Sequence, residues 1–397
     1  MAENPFAITP SLRAGITRVQ NIALIVGVIF TALTLIQAFI DPTQFFRSWM
    51  IGFLLPFGLG VGGLAVLMLQ YMTGGAWGLV ARRQFEAASR TIPLVTLFFI
   101  PLFFGISHLY DWAKPEIVQH DHILQEKSGY LNPTWWIIRA IVIFALFNLF
   151  SFILNRFSAR EEAGDVAVSR RMMGWSSIGT IVYVFALTFA GTDWLMSMDP
   201  KWFSTIYGLI LLGGQGLTIF SAVIFCTTFL MNEEPMQSVV TKRHLHDLSK
   251  FLFMFTLFWT YVSFSQLVII WAGNLPEEIT WYINRMNGSW IYVGAILLFL
   301  QWMLPFLILL SQDIKRSPKK IRIMCVWILL VRFVDTVWLV EPNYHKEHFF
   351  MHWADVTAAL GLVGLWTFYF LLQLKKRALI PIHAPDLERG LVYGPAR

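Results

Sequence analysis

The chain has 397 residues, of which 56% are hydrophobic and 14% are charged, and its formal net charge is +6. Soluble globular domains carry roughly 25% charged residues, so this composition excludes a soluble globular domain and favours an integral membrane protein. The two cysteines, Cys226 and Cys325, lie in apolar runs without a C-x-x-C motif, which argues against a disulfide framework and a covalently attached c-type haem.

Ten apolar segments follow one another along the chain, and each is close to the ~20 residues that a helix needs to cross a bilayer. The predicted spans are about 17–39, 50–71, 92–112, 134–156, 174–195, 203–230, 248–271, 289–311, 320–340 and 354–374. The predicted fold is an all-α polytopic membrane domain over residues 1–397. We expect the eight central spans to form two four-helix bundles, with the first and tenth as flanking helices.

Lysine and arginine are distributed unevenly between the two ends of these spans. The N-terminus, the C-terminus and the loops after the second, fourth, sixth and eighth spans hold 22 of the 30 basic residues. Cytoplasmic loops carry such an excess, so both termini are predicted to be cytoplasmic. The net positive charge is therefore an orientation signal, and no nucleic-acid partner is predicted.

Ionisable side chains in the spans are candidates for function, because a charge at mid-span costs ~2.5–3.5 kcal/mol on insertion scales. Seven lie near the non-cytoplasmic ends of five spans: His108, Asp111, Arg139, Asp193, Arg332, Asp335 and Asp355. A histidine and a carboxylate can hydrogen-bond the two ends of a quinol and accept its protons, and a nearby arginine would tune the acids. The alternative for Arg332 and Asp335 is a simple intrahelical ion pair.

Two aspartates six residues apart, Asp193 and Asp199, are predicted to have different roles. Asp199 precedes Pro200, a pattern typical of an N-cap at the start of the next helix. Asp193 lies at the C-terminal end of its helix, where the helix dipole disfavours a negative charge. Asp193 therefore needs a cationic partner, and Arg139 or Arg332 is expected to supply it.

The loop from residue 341 to 355 contains several histidines. If this loop were helical, His345, His348, His352 and Asp355 would share one face. Such a face could hold a metal or could simply be a wet amphipathic rim. We favour proton exchange with the outside at this cluster, because imidazole titrates near neutrality, and we expect Asp335 and Asp355 to pass protons outward.

A second set of polar residues follows the seventh span from its cytoplasmic end. Its members are Asp247, Lys250, Thr256, Thr260 and Ser263. They are candidates for a cytoplasmic proton path, and the alternative is that the hydroxyls only support helix packing. Haem b is not expected, because His108 alone among nine histidines lies within a predicted span.

Three motifs carry a family resemblance: H-L-Y-D-W-A (108–113), G-T-D-W-L-M-S-M-D-P-K-W-F-S-T-I-Y-G (191–208) and H-F-F-M-H-W-A-D (348–355). They resemble the ActF-type membrane subunits of bacterial alternative complex III, and the likeness covers essentially the whole chain. These subunits are similar to the NrfD/polysulfide-reductase membrane subunits. The resemblance implies a multi-pass protein of the bacterial cytoplasmic membrane, within a respiratory or photosynthetic quinol:electron-acceptor oxidoreductase.

The resemblance also implies partners and a division of labour among them. Haem and iron–sulfur centres would lie on other subunits: a multihaem cytochrome c, an iron–sulfur subunit and a monohaem cytochrome c, together with a sister NrfD-like subunit and small membrane subunits. This chain would contribute binding of quinol or menaquinol, transmembrane proton conduction, or both. His108, Asp111, Asp193 and Asp355 match the family's motifs.

Two other classes of function remain open at this stage. A secondary transporter would place ionisable residues near the middle of the membrane and break helices there, whereas the charges here are displaced outward. A structural anchor would gain nothing from the cost of charges in several spans. Both alternatives are therefore less favoured than a redox-complex subunit.

Overall fold

The computed structural model describes residues 5–276 and 279–392, and within them the chain is helical with no strand. Ten helices in these residues are long and apolar enough to cross a membrane. They are α1 (Pro10–Ile40), α2 (Pro42–Thr73), α3 (Arg82–Phe103), α4 (Pro133–Glu162), α5 (Val168–Met198), α6 (Tyr207–Leu230), α7 (Lys242–Gly273), α8 (Trp290–Leu310), α9 (Pro318–Asn343) and α10 (Trp353–Leu374). The prediction of an all-α chain with ten helices of this kind is confirmed.

Short helices occupy the connections and the segment after α10. They are Ala76–Leu79, Ile106–Leu109, Asp111–Ala113, Pro115–Val118, His122–Lys127, Met236–Val239, Thr280–Met286, Gln312–Arg316 and Leu387–Leu391. Two of the long helices are irregular within their spans. The last turn of α3 is a 3-10 helix (Ile100–Phe103), and the middle of α8 is a π-helix (Leu298–Met303).

The helices begin where the sequence supplies a cap. A single residue, Asp41, connects α1 to α2, and its carboxylate accepts hydrogen bonds from the backbone N–H groups of Thr43 (2.9 Å) and Gln44 (3.3 Å). Asn132 caps α4 in the same way, and a proline follows each of the two caps. Such a cap satisfies backbone donors that the first turn leaves unpaired, and proline is pre-shaped for the first helical position.

The two ends of the helix assembly differ in the segments that they hold. We call the end with residues 5–9 and 375–392 the terminal side; the Leu379 N–H donates to the Phe6 carbonyl there (3.1 Å). The other end, with the α3–α4, α5–α6, α7–α8 and α9–α10 connections, is the opposite side. Tyr344 of the α9–α10 connection donates there to the Leu109 carbonyl of the α3–α4 connection (2.8 Å).

Helix α2 is the centre of the packing, and it contacts α1, α3, α5, α6, α9 and α10. Glycines allow the closest approaches. A Cβ at Gly62 would lie 3.2 Å from the Gln215 carbonyl of α6, and a Cβ at Gly52 would lie 2.6 Å from the backbone of Ala358 in α10. Small residues therefore let neighbouring backbones approach closely, as they commonly do in membrane helices.

Helices α2, α3, α4 and α5 each contact the next, and α5 contacts α2 again, so these four helices form one closed circuit. Helices α6, α7, α8 and α9 form a second closed circuit in the same way. Helices α1 and α10 pack against each other beside α2. The two circuits meet where α2 and α5 contact α6, and where α2 contacts α9. Charged side chains near this contact surface are thus positioned by several helices at once.

Three helix boundaries that bear on the site differ from the sequence prediction. Helix α3 begins at Arg82 instead of about residue 92, because its charged first turns are buried among ion pairs that hydropathy does not anticipate. It ends at Phe103 instead of about residue 112, so His108 and Asp111 lie in the connection beyond it. Helix α6 begins at Tyr207, four residues later than predicted.

Candidate functional site

Asp193 is fully buried at the opposite-side end of α5 and forms an ion pair with Arg139 of α4. The Arg139 Nε donates to the Asp193 carboxylate at 2.6 Å, and the guanidinium stacks on the Tyr130 ring at 3.8 Å. The Asp193 carbonyl accepts from the Trp136 indole (2.8 Å) and the Ser197 hydroxyl (2.6 Å). Arg139 is thus one of the two partners expected from sequence, and two side-chain hydrogen bonds hold the Asp193 backbone in place.

Tyr130 lies just outside α4 and faces the same carboxylate. Burial, together with the negative charge of Asp193, raises the pKa of the Tyr130 phenol. A phenol with a raised pKa stays protonated at neutral pH, so Tyr130 acts as a hydrogen-bond donor and not as a proton acceptor at this position.

Asp199 does not begin a helix, so the predicted N-cap is wrong. It follows the short 3-10 turn Met196–Met198, eight residues before α6 begins. Its carboxylate accepts a hydrogen bond from the Thr280 hydroxyl at 3.0 Å. The aspartate therefore ties the α5–α6 connection to the α7–α8 connection.

Asp355 is fully buried in the first turn of α10 and has a different environment from Asp193. Its Oδ1 accepts from the Ser48 hydroxyl (2.5 Å) and the Gln44 amide (3.4 Å), and its Oδ2 accepts from the His352 N–H (2.7 Å). No lysine, arginine or histidine among the described residues forms an ion pair with it. Asp355 is thus a buried carboxylate held only by neutral donors.

A second buried carboxylate, Glu341, lies close enough to Asp355 to repel its negative charge. Its Oε2 lies 2.9 Å from the His345 Nδ1, and the His345 side chain is 33% exposed. The His345 ring stacks on Phe350 at 4.0 Å between centroids. The buried Glu341 carboxylate is therefore in contact with a partly exposed imidazole on the opposite side.

Sequence analysis did not select Glu341, which it placed in a loop. The signal was present, because Glu341 and His345 are four residues apart at the end of a span. When burial is unknown, such a pair is interpreted as a solvent-exposed, amphipathic end of a helix. Only the packing of α9 against its neighbours reveals that the carboxylate is inaccessible to solvent.

His108 is tied to the start of α2 instead of to Asp111. Its Nδ1 lies 2.9 Å from the Thr43 hydroxyl, and its ring stacks on Phe46 at 5.3 Å. Asp111 is exposed and pairs with Lys114 at 2.9 Å. From their spacing of three residues, His108 and Asp111 would share one helix face; they do not, because the extended residue Tyr110 separates them.

His352 has a structural role in the described geometry. Its Nδ1 accepts from the Ala354 N–H at 3.2 Å, and its backbone N–H donates to Asp355, so the two residues form a capping box at the start of α10. The segment from 345 to 352 is not helical, so the conditional shared face of His345, His348 and His352 does not form. No group of three or more metal-ligating side chains is found in the part of the chain that the structure describes.

Arg332 and Asp335 form a buried ion pair within α9. The Arg332 guanidinium packs against Gly214 of α6. Beside it lies a cavity of about 20 Å³ whose polar lining comes from Arg332, Gln215, Thr218 and Thr336. A cavity of this size holds one water molecule, so the contact between the two helix circuits is polar at this level.

The terminal-side candidates on α7 do not form a continuous hydrogen-bonded path among the described residues. Asp247 pairs with Lys250 at 2.9 Å. The Thr256 and Thr260 hydroxyls donate to the carbonyls of residues four positions earlier in the same helix. The Ser263 hydroxyl is buried without a hydrogen-bond partner. This geometry favours the helix-packing alternative for the threonines.

A buried ionic cluster on the terminal side was missed by the sequence analysis, which treated its arginines as loop residues. At its centre, Glu86 is fully buried and contacts four guanidinium groups. The distances are 3.0 Å to Arg82, 2.7 Å to Arg83, 3.8 Å to Arg90 and 3.2 Å to Arg377. We call these five residues the Glu86 cluster.

Further side chains complete the Glu86 cluster's surroundings. The hydroxyls of Tyr71 (3.0 Å) and Ser158 (2.7 Å) donate to Glu86. Glu161 pairs with Arg82, and Glu162 pairs with Arg83 at 3.3 Å. The spacing of arginines around Glu86 at i−4, i−3 and i+4 is visible in the sequence, but only the fold adds Arg377 and the α4 glutamates.

A cavity of about 720 Å³ lies between α1, α6 and α10. Its lining is almost entirely apolar, and none of the predicted site residues contributes to it. A cavity of about 350 Å³ on the opposite side includes Asp111 and Asp199 in its wall. The candidate carboxylates Asp193, Asp335 and Asp355 line neither cavity.

Comparison with known proteins adds no assignment to this geometry. The chain matches no protein-family model, and no curated protein matches it.

Proposed function

We propose that this chain is a membrane subunit of a quinol-oxidising, electron-acceptor-reducing complex of the ActF type, and that it conducts protons released by quinol oxidation. In this proposal the basic terminal side faces the bacterial cytoplasm, and α2–α5 and α6–α9 are two four-helix bundles flanked by α1 and α10. The haem and iron–sulfur centres would belong to the partner subunits named above.

One observation carries the proton-handling role: Asp355 is fully buried and its carboxylate is bonded only by neutral donors. Burial without a cationic partner disfavours the charged form of a carboxylate, and the negative charge of a second buried carboxylate, Glu341, disfavours it further. Such a carboxylate retains a proton readily and can pass it on. The same reasoning does not apply to Asp193, which forms an ion pair with Arg139.

The geometry supports proton conduction better than quinol binding at these residues. Both Asp355 oxygens already accept hydrogen bonds from the protein, and His108 already contacts Thr43. The water-sized cavity at Arg332 has no room for a quinone ring or for a transported solute. Quinol or menaquinol would then bind elsewhere in the complex, and a secondary transporter is disfavoured.

The chain's own groups suggest the order of proton transfer. A proton arriving at the Asp355 carboxylate would neutralise one of the two adjacent acids. Transfer to Glu341 would bring the proton to the Oε2 that contacts the His345 Nδ1. The partly exposed imidazole would release the proton on the opposite side. Ser48 and Gln44 would orient Asp355 throughout.

The test is Asp355→Asn in the purified complex, with quinol:acceptor turnover and proton release per electron measured together. Asn keeps the size of the side chain and an acceptor oxygen but cannot carry a proton. We expect proton release through this route to fall by roughly 10²-fold, the contribution typical of a positioned acid or base. Asp313→Asn, the same change at an exposed terminal-side carboxylate, is the matched control.

Haem content of the purified material separates the parts of the proposal. If a tag on this chain recovers no cytochrome, the assignment to a redox complex is wrong. If cytochromes are recovered and Asp355→Asn matches Asp313→Asn in both assays, the proton route through Asp355 is wrong. Loss of quinol turnover, with no change in the ratio of protons to electrons, would instead place Asp355 in quinol binding.

A further inference from the structure

A basic groove opens between α3 and α4 at the terminal side, beyond the site that the proposed function uses. It has a volume of about 510 Å³. Three arginines from three different segments of the chain line it: Arg90 of α3, Arg156 of α4 and Arg377 after α10. We call this cavity the arginine groove.

Arg90 and Arg377 are held rigidly by the protein. Arg90 donates to the Asn155 side chain (3.0 Å) and the Gln373 carbonyl (3.0 Å), and its buried Nε has no hydrogen-bond partner among the residues that the structure describes. Arg377 donates to Glu86 (3.2 Å) and the Asn155 carbonyl (3.0 Å). Two guanidinium groups are therefore fixed beside the cavity before any ligand arrives.

Arg156 differs from these two arginines because it is exposed and forms no ion pair with the described residues. The charge balance around the groove is also positive. The arginines at 82, 83, 90, 156 and 377 face the glutamates at 86, 161 and 162, so two positive charges are uncompensated. An anion is the ligand that this balance favours.

The groove continues into an apolar surface that faces away from the protein core. Pro93 and Phe152 line the groove itself, and Phe152 is 63% exposed. Towards the middle of the spans, Leu97 on α3 and Leu149 on α4 are also exposed. A ligand with an anionic head and apolar chains matches both parts, and a free anion matches only the first.

We propose that the arginine groove binds the phosphate headgroup of an anionic phospholipid, with the acyl chains lying along Phe152 and the exposed faces of α3 and α4. Basic pockets between membrane helices on the cytoplasmic side recognise such headgroups. Arginine offers phosphate two parallel donors, and Arg156 is the guanidinium with donors uncommitted to the protein. The lipid would cover the Glu86 cluster from the membrane.

The experiment measures lipid binding by native mass spectrometry on the full-length protein in the assembly in which it is purified. After delipidation, the protein is titrated with phosphatidylglycerol and with phosphatidylcholine of the same acyl chains. We expect preferential retention of phosphatidylglycerol. Arg156→Gln should weaken that binding roughly fivefold, because a basic residue contributes ~1 kcal/mol to anionic-lipid attraction.

Matched variants keep the proposal falsifiable. Arg171→Gln removes another exposed terminal-side arginine, outside the groove, and should leave phosphatidylglycerol binding unchanged. Phe152→Ser should weaken the long-chain lipid but not glycerol phosphate. Arg90→Gln serves as a second test only if its unfolding temperature matches the wild type.

Three outcomes would overturn the assignment. Equal binding of the two lipids would exclude headgroup recognition. An equal loss for Arg156→Gln and Arg171→Gln would indicate general surface charge instead of a site. Complete competition by inorganic phosphate, with no effect of Phe152→Ser, would show a free-anion site instead of a lipid site.

Discussion

Two buried carboxylates at the two ends of the helix assembly have opposite surroundings. Glu86 on the terminal side and Asp355 on the opposite side are both 0% exposed. Glu86 contacts four guanidinium groups, whereas the Asp355 carboxylate is held by a hydroxyl, an amide and a backbone N–H. Burial alone therefore says nothing about what an acid in a membrane protein does.

The comparison separates a structural acid from one that can exchange protons. Removing charges from water is costly, and four arginines without Glu86 would have no compensation at the centre of their cluster. Asp355 has no cation that depends on it, so its protonation leaves no charge unpaired. Asp193, with the single partner Arg139, lies between these extremes.

The largest predicted effect is that of Glu86→Gln. The substitution keeps the shape of the side chain but leaves buried guanidinium groups without their shared carboxylate. We expect a destabilisation of ~3–5 kcal/mol, the range for breaking a buried ion pair by removing one partner. Thermal unfolding of the detergent-purified protein measures it, and failure to accumulate in the membrane is the extreme form of the same result.

Glu388→Gln is the control for this change, because Glu388 is exposed on the same side. It should unfold at the wild-type temperature. If Glu86→Gln also unfolds at that temperature, the cluster is not a structural element and the comparison with Asp355 fails.

The second prediction concerns the intermediate case, Arg139→Gln. This change leaves the fully buried Asp193 without its cation, and Arg139 itself is 18% exposed. We therefore expect a smaller loss than for Glu86→Gln, about 2–3 kcal/mol. The double variant Arg139→Gln/Asp193→Asn should recover most of the loss, because it removes the unpaired charge. Additive losses, measured as a double-mutant cycle of unfolding temperatures, would contradict a direct ion pair.

The sequence predicted much of the fold because the bilayer constrains it strongly. The ten apolar segments form ten helices. In lipid, the backbone N–H and C=O groups must form their hydrogen bonds within the chain, and a helix does this. The sequence also limited the expected partner of Asp193 to two arginines, Arg139 and Arg332. A negative charge at a helix C-terminus needs a cation to compensate it. These inferences depend on local composition and on general costs, and both are properties of the sequence.

The remaining features depend on long-range packing. Arg377 contacts Glu86 although 291 positions separate the two residues in the sequence. Asp355 contacts Ser48 across a sequence separation of 307 positions. No periodicity within a single helix reports such contacts. Hydropathy also placed Arg82 and Arg83 in a loop, because it cannot distinguish a solvated charge from one that is buried and neutralised by a distant segment.

The third prediction tests the polar contact between the two helix circuits. A Cβ at Gly214 would overlap the Arg332 guanidinium, which is held by Asp335. Gly214→Ala should therefore cost ~1–3 kcal/mol, as overpacking of a buried position does. Gly174→Ala is the control, because nothing lies within 4 Å of its added Cβ. An equal unfolding temperature for both variants would mean that Arg332 moves freely and that the cavity beside it is not fixed.

The smallest predicted effect lies at the exposed pair of Lys201 and Asp121 on the opposite side, 3.0 Å apart. The hydrogen bond from Lys201 lowers the pKa of Asp121 below its ordinary value of 3.8. Since the folded-state pKa is the lower one, the pair's contribution is present above pH 3.8 and is lost as the pH falls through the folded-state pKa. Lys201→Gln should return the Asp121 pKa towards 3.8, observable by carboxyl NMR titration, and should leave the unfolding temperature at pH 7 unchanged.

The charges of Lys201 and Asp121 match those of Arg139 and Asp193, and solvent exposure is the main difference between the two pairs. A loss as large as that of Arg139→Gln would mean that burial does not set the cost of breaking a pair in this protein, and the contrast between Glu86 and Asp355 would lose its physical basis.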